Sequence, residues 1–387
     1  YLMPGMIDSE FRLKDYSLSE LQQETKAALA GGITSSLLVP ELAPDLFKPS
    51  IADISLQNNL SIYYPATHQN HEGIESIDHS HCCGIYVDMV SLNDDHRIDD
   101  PKVIENILQS SPTLVTFHAE DAPSILENEE SYRQIYGDDV PFQLHSLIRG
   151  ADACTIAATE VLKVAVKCNA RAHFMHLSSV EEIELIGKYR KGSSNISAGV
   201  CSHFLVFSDA DYVEKGGLLK CQPAIKADID RAALLQGLLD NNIDLISSGH
   251  MPLSLAEKQN LYFDVPAGLP LAQYAFPAIL EHFQDQIVSL EFIAEKTSHE
   301  VAERFSIQDR GFIREGYWAD LVLVDLEGSF IARDEDVISS AGWTIFNGNE
   351  FRSSIVKTIV NGKIMWSKGE FTDDFPAGMP LEFTGRT

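Results

Sequence analysis

The chain has 387 residues, 44% of them hydrophobic, which is ample for a large buried core but long for one ordinary domain. Its formal charge of −28 sets up a long-range field that repels nucleic acid and acidic membrane surfaces, so neither is expected as a partner. No apolar run reaches the roughly 18 residues needed to span a bilayer, and no basic-then-apolar leader opens the chain. Six cysteines without framework spacing, most in apolar surroundings, read as reduced thiols of a cytoplasmic protein. The first residue is Tyr1 rather than Met, which fits a domain excised from a longer polypeptide.

In chain order, "PGMIDSEFRLKD" opens with a short apolar strand. "SLSELQQETKAALAGG" follows as a helix, with Ser17 and Glu20 spaced as a capping box and Gly31-Gly32 as a stop. "ITSSLLVP", "LSIYYPAT", "GIYVDMV", "TLVTFHAED", "RAHFMHLSS", "NISAGVCSH" and "IDLISSGHMP" then read as buried strands ending in polar or small residues. Helical stretches separate them, among them "DACTIAATEVLKVAVKC" and "SVEEIELIGKYRK", the second opened by Ser179 and Glu182. This alternation predicts an α/β fold, a (β/α)8 TIM-type barrel over residues 1–310. From Gly311 the texture changes. "GYWADLVLVDL" and "SSIVKTIVNGKIMW", with the hairpin signal Asn361-Gly362, predict a small appended β-rich domain over 311–387.

Barrel chemistry sits on the C-terminal ends of strands. Those ends offer Glu10, Arg12, Tyr86, His118, His176, His203, Gly249 and His250. Two histidines on separate strands can hold zinc only if further ligands join them, and Glu10 is the available third. Arg12 is always charged and cannot ligate. The structural alternative for each histidine is a core residue satisfied by hydrogen bonds. The segment "HQNHEGIESIDHSHCC", residues 68–83, invites a metal reading, but Cys82 and Cys83 lead into a strand and a solvated loop is the expectation. "SLNDDHRIDD" lacks calcium-loop spacing, and no phosphate loop or Gly-x-Ser-x-Gly elbow is present.

With "MPGMID", "AALAGGIT", "HAED", "AHFMHLSSVEEIELI", "DLISSGHMP", "GYWADLVLVD" and "TIVNGKIMW" in that order, the chain resembles the dihydroorotases of the amidohydrolase superfamily over nearly its whole length. It is most similar to the inactive dihydroorotase-like domain of the fungal CAD-like multifunctional pyrimidine-synthesis proteins. The resemblance implies a barrel with an attached β domain, two zinc ions and hydrolysis of a cyclic amide. Carried over by residue, the family's first-strand histidine pair falls on Glu10 and Arg12, and its carbamylated lysine on Tyr86. The strand histidines fall on His118 and His176, and the aspartate that is ligand and base falls on Gly249. The substrate arginine becomes Lys14 and the asparagine of the "PN" turn becomes Glu41.

Tyrosine cannot form a carbamate bridge, and glycine offers neither ligand nor base. The expectation is therefore an inactive barrel without cofactor or bound metal, His118 and His176 being retained former ligands. An Arg12-centred polar network with Glu10, Tyr86 and His118 would replace the lost cations. Its role would be to link carbamoyl phosphate synthetase and aspartate transcarbamoylase in one polypeptide or complex, as a homodimeric scaffold. Three rivals stand beside it: a free-standing inactive homologue that supports aspartate transcarbamoylase, a mononuclear hydrolase using Glu10, His118 and His176, and a ligand sensor.

Overall fold

A computed structural model describes residues 1–40, 56–80, 82–91, 96–191, 195–372 and 377–384. Glu41 and His81 lie outside the described residues. The chain starts with a short strand, β1 (Leu2–Pro4), and then enters β2 (Met6–Phe11), whose six residues are all buried. Helix α1 (Leu18–Ala30) begins where the sequence places it. Ser17 Oγ accepts the Glu20 N–H, while the Glu20 carboxylate gathers the N–H groups of Lys14, Asp15 and Tyr16 at 2.7–3.0 Å. Gly31 closes the helix against another segment, since a Cβ there would sit 2.2 Å from the Ala272 carbonyl oxygen.

The remaining barrel strands are β3 (Ile33–Leu38), β4 (Asn59–Pro65), β5 (Cys82–Asp88), β6 (Val115–His118), β7 (Ala172–Phe174), β8 (Ile196–Cys201) and β9 (Leu245–Ser247). They pair in chain order, β2 to β9, and the registers of neighbouring strands are parallel, as in Ile85 with Val115 and Ala172 with Ile196. Burial on both faces explains the near-continuous apolar runs. Between them run α2 (Pro101–Ser110), α3 (Ala122–Tyr136), the short α4 (His145–Ile148), α5 (Ala151–Cys168), α6 (Val180–Arg190), the short α7 (Tyr212–Lys215) and α8 (Asp228–Leu239). The result is the expected nearly closed eight-stranded parallel barrel with helices.

Beside it is an antiparallel sheet in the order β1, β10 (Leu321–Asp325), β13 (Ser354–Val360), β14 (Lys363–Ser367), β15 (Glu370–Phe371), with a separate pair, β11 (Phe330–Ile331) and β12 (Glu350–Phe351). Asn361 and Gly362 turn β13 into β14 with φ of 52° and 81°, the left-handed conformation that an Asn-Gly hairpin supplies. The boundary drawn at residue 311 leaves out Leu2–Pro4, which pair with β10. By compactness the chain divides into two units. One holds Tyr1–Tyr63, Leu245–Leu255 and Leu269–Thr384; the other holds Tyr64–Asp244 and Ala256–Gly268. No helix among the described residues is long and apolar enough to cross a membrane.

Candidate functional site

In the first unit, the alternation of β2 puts Asp8, Glu10 and Arg12 on one side of the chain. Asp8 is fully buried. It accepts N–H bonds from Glu10 and Ser248 at 3.2 and 2.9 Å and a short bond from the Ser248 hydroxyl. Burial raises its pKa, and the Ser248 bonds oppose that rise. Glu10 lies 3.8 Å from the Arg12 guanidinium and accepts the Ser247 hydroxyl at 3.4 Å. Both side chains are largely withdrawn from solvent, so the pair keeps either charge from standing alone in a low dielectric. Lys14 is exposed.

Gly249 follows β9 at φ 68°, a left-handed position next to Ser248 and His250. His250 is fixed in one tautomer. Its Nδ1 accepts N–H bonds from Leu271 and Ala272 at 3.0 and 3.1 Å, so Nε2 carries the hydrogen and donates to Glu24 at 3.1 Å. Glu24 also accepts the Ser340 N–H at 2.8 Å. Burial works to raise the Glu24 pKa, but the bonds from His250, Ser339 and Ser340 and the field of His250 together outweigh it and bring it below the usual value.

In the second unit, β5 directs Tyr86 to Asp88, whose carboxylate accepts the phenol at 3.3 Å and the Val90 and Ser91 N–H groups at 2.9 Å. β6 ends at His118, whose Nε2–H donates to Glu120 at 2.8 Å. Arg149 clamps the same carboxylate with two bonds, 3.1 and 2.7 Å long. Glu120 has no exposed surface. Burial alone would raise its pKa, yet Arg149 and then His118 pull it far below the usual carboxylate range. This clamp leaves His118 Nδ1 as an acceptor. The His176 ring stands edge-on to His118, with centroids 4.4 Å apart. The two histidines retained by the sequence are therefore brought together at adjacent strand ends. His203 is buried against Phe204.

Deeper in this unit, Lys226 donates to Ser178 at 2.8 Å. Lys258 donates to the carbonyls of Lys220 and Pro266 at 2.8 and 3.0 Å, and Lys220 donates to those of Tyr262 and Val265. Sequence reading missed Asp8, Glu24, Glu120, Arg149 and all three lysines as network members. Their partners lie up to 240 residues away, and only a charge inside an otherwise apolar run hinted at them.

In the segment 68–80, His68 is exposed, its carbonyl bonds the His71 ring at 3.0 Å, and Ile74 is the buried residue of the turn. Cys82 and Cys83 are buried in β5, and burial pushes the Cys82 thiol up to about 11. Among the described residues no three His, Cys, Asp or Glu side chains converge as a metal centre. The binuclear centre implied by the resemblance does not fit the residues present. Arg12 brings a fixed positive charge, the Tyr86 phenol is bonded to Asp88, and Gly249 carries no donor.

No protein-family model matches the chain. It is similar to the dihydroorotase of Lactobacillus helveticus (strain DPC 4571), 25% identical over 385 residues, covering 95% of this chain and 88% of the relative. A second relative, the dihydroorotase of Endomicrobium trichonymphae, is 26% identical over 385 residues, with 94% and 88% covered. Among solved structures, the L-hydantoinase (dihydropyrimidinase) from Arthrobacter aurescens superposes with a TM-score of 0.90 at 18% identity, covering 99% of this chain and 89% of that one. The dihydropyrimidinase from Brevibacillus agri NCHU1002 gives 0.88 at 18%, with 100% and 90% covered.

These findings correct the expectation that the chain is not an enzyme. The sequence relatives that align with it nearly end to end carry an enzyme's name, and so do the structural neighbours. The physical reason is that Glu10, Arg12, Tyr86 and Gly249 bear only on a two-metal mechanism. Losing those ligands excludes that centre; it does not exclude hydrolysis or ring closure by other groups.

Proposed function

We propose, for a chain that is dihydroorotase-like and folded as the amidohydrolase barrel, that it acts on a small cyclic amide or on the ureido acid formed when such a ring opens. The observation that supports this reading is the pairing of His118 with His176 at adjacent strand ends, with His118 held in one tautomer by the Glu120–Arg149 clamp. A carboxylate behind an imidazole fixes its orientation and tautomer. His118 Nδ1 is thereby held as the acceptor nitrogen of the ring.

The experiment is turnover of dihydroorotate and of carbamoyl aspartate by the purified chain, with zinc per chain measured on the same sample. Turnover that falls by about 10²-fold or more in His118→Ala and His176→Ala supports the reading. About one zinc per chain, lost in both His118→Ala and His176→Ala, assigns a single cation to the paired histidines. No turnover in either direction, with or without added zinc, overturns it.

A linking role between carbamoyl phosphate synthetase and aspartate transcarbamoylase, in the cytoplasm, is proposed with this reading. Co-sedimentation with aspartate transcarbamoylase tests the role, and separate boundaries would sink it.

A further inference from the structure

Within the first unit, the helix Glu300–Arg304 is followed by a loop that folds back against it. Gly311 sets the course of that loop. Its φ of 81° is the left-handed conformation, and a Cβ there would stand 2.6 Å from the Ala302 Cβ, so only glycine lets the two segments lie this close. The next residue, Phe312, stacks flat on His299 with centroids 4.3 Å apart. The Arg314 guanidinium stands 4.7 Å from the Phe312 centroid and 5.0 Å from that of Tyr317. Phe312, Arg314 and Tyr317 line a cavity of about 290 Å³ together with Arg310, Glu303 and Ser306. Its neighbourhood is the N-terminal end of β2, where Ser298 donates to the Gly5 carbonyl, whereas barrel chemistry belongs to the opposite strand ends.

The charges here favour an anion. Arg310 is 3% exposed, so its charge needs partners. Asp320 and Asn361 supply them from one side: both accept from Nη1, and neither lines the cavity. The Nε and Nη2 donors form the other edge, the side-on fork that matches the two oxygens of a carboxylate. Arg314 is exposed; among the described residues it donates to the Tyr317 phenol at 3.2 Å and enters no ion pair. Glu303 is the acidic residue of the lining and points the other way in charge, as does the exposed Glu315 beside Arg314 in sequence. Two guanidiniums against one lining carboxylate still leave the cavity positive on a chain of formal charge −28. The rings narrow the choice further. A tetrahedral phosphate would use the cations alone, whereas a flat ring also gains the faces of Phe312, Tyr317 and the Arg314 guanidinium.

We infer that this cavity binds a small aromatic carboxylate, its oxygens on Arg310 and Arg314 and its ring against Phe312 and Tyr317. The inference stands independently of the reaction proposed above, and its test reads no turnover. Isothermal titration of the purified chain with benzoate is expected to show one site per chain, tighter than for cyclohexanecarboxylate. Arg314→Ala is expected to weaken benzoate about 10-fold or more, with the thermal midpoint of the unliganded chain unchanged. Arg310→Lys keeps a charge beside Asp320 but loses the fork, and is expected to weaken it by a similar factor. The control Arg352→Ala, whose arginine pairs with Glu281 elsewhere in the unit, binds as wild type. No binding at millimolar benzoate overturns the inference, as does binding that survives both the Arg310 and Arg314 changes. Equal affinity for the two carboxylates overturns it by removing the aromatic preference. Inorganic phosphate binding more tightly than benzoate, through the same arginines, also overturns it and gives the cavity to phosphate.

Discussion

Glu120 and Arg149 lie 29 residues apart in sequence, are both buried, and meet through two hydrogen bonds while His118 takes a third. Removing one partner of such a pair leaves an uncompensated buried charge, which costs about 3–5 kcal/mol. Arg149→Met is expected to lower stability by that order in urea denaturation at neutral pH. The pH dependence has a definite sign. The folded Glu120 carboxyl is depressed, so its contribution is present above the ordinary glutamate pKa and is lost as pH falls through and below it. The wild-type advantage over Arg149→Met should therefore shrink on acidification; an equal difference at pH 7 and pH 4 would assign the loss to packing instead. The retained histidines were legible in the sequence because "HAED" and "HFMHLSS" place them at strand ends. The clamp that orients His118 was not, because a long-range ion pair leaves no local pattern.

At the scale of elements, residues 256–268 are held to the body by two lysines that point inward. Lys258 is 2% exposed and Lys220 8%, and each gives its ammonium to two main-chain carbonyls. Burial pushes Lys258 down to about 7 and Lys220 down to about 8. Around Lys258 the charged or titratable groups are Cys221, Lys220 and Glu257; around Lys220 they are Glu129, Arg149 and Asp264. The unfolded chain binds these protons more tightly than the folded one. Stability is therefore expected to rise with pH from about 7 toward the ordinary lysine value of about 10.4, and to be lost again as pH falls back through 8 and 7. Lysine Cε chemical shifts followed against pH check this directly: two resonances with midpoints near 8 and 7 are expected, the lower one missing in Lys258→Met. All lysines titrating above 10 would contradict it. Element positions themselves were readable. Ser17, Ser179 and Asn361-Gly362 each act where their spacing places them, because caps and turns are settled by near neighbours.

For the whole molecule, the barrel followed from alternation alone, since a run of strand and helix periods leaves few other ways to bury both faces of a parallel sheet. The strands of the antiparallel sheet from β10 onward were legible, but its first strand was not. "LMP" is too short to carry a period of two, and only its partner β10 defines it. Activity was the least legible property. Glu10, Arg12, Tyr86 and Gly249 bear on one metal centre, whereas the likeness to proteins named dihydroorotase runs over 95% of the chain.

That first strand has a consequence for how the chain is made. Leu2–Pro4 find their hydrogen-bonding partners in residues 321–323. During synthesis at about 5–20 residues per second, they wait on the order of 15–60 s before β10 leaves the ribosome. Through that interval β1 has no strand to pair with, although β2 pairs with β3 and the last barrel strand ends at Ser247. A nascent chain of this protein should spend most of its synthesis as a client of chaperones, and a transcript cut short before codon 321 should yield aggregate rather than a smaller folded barrel. Release of soluble, protease-resistant product from such a truncated message would show that the barrel closes without β10 to pair with β1.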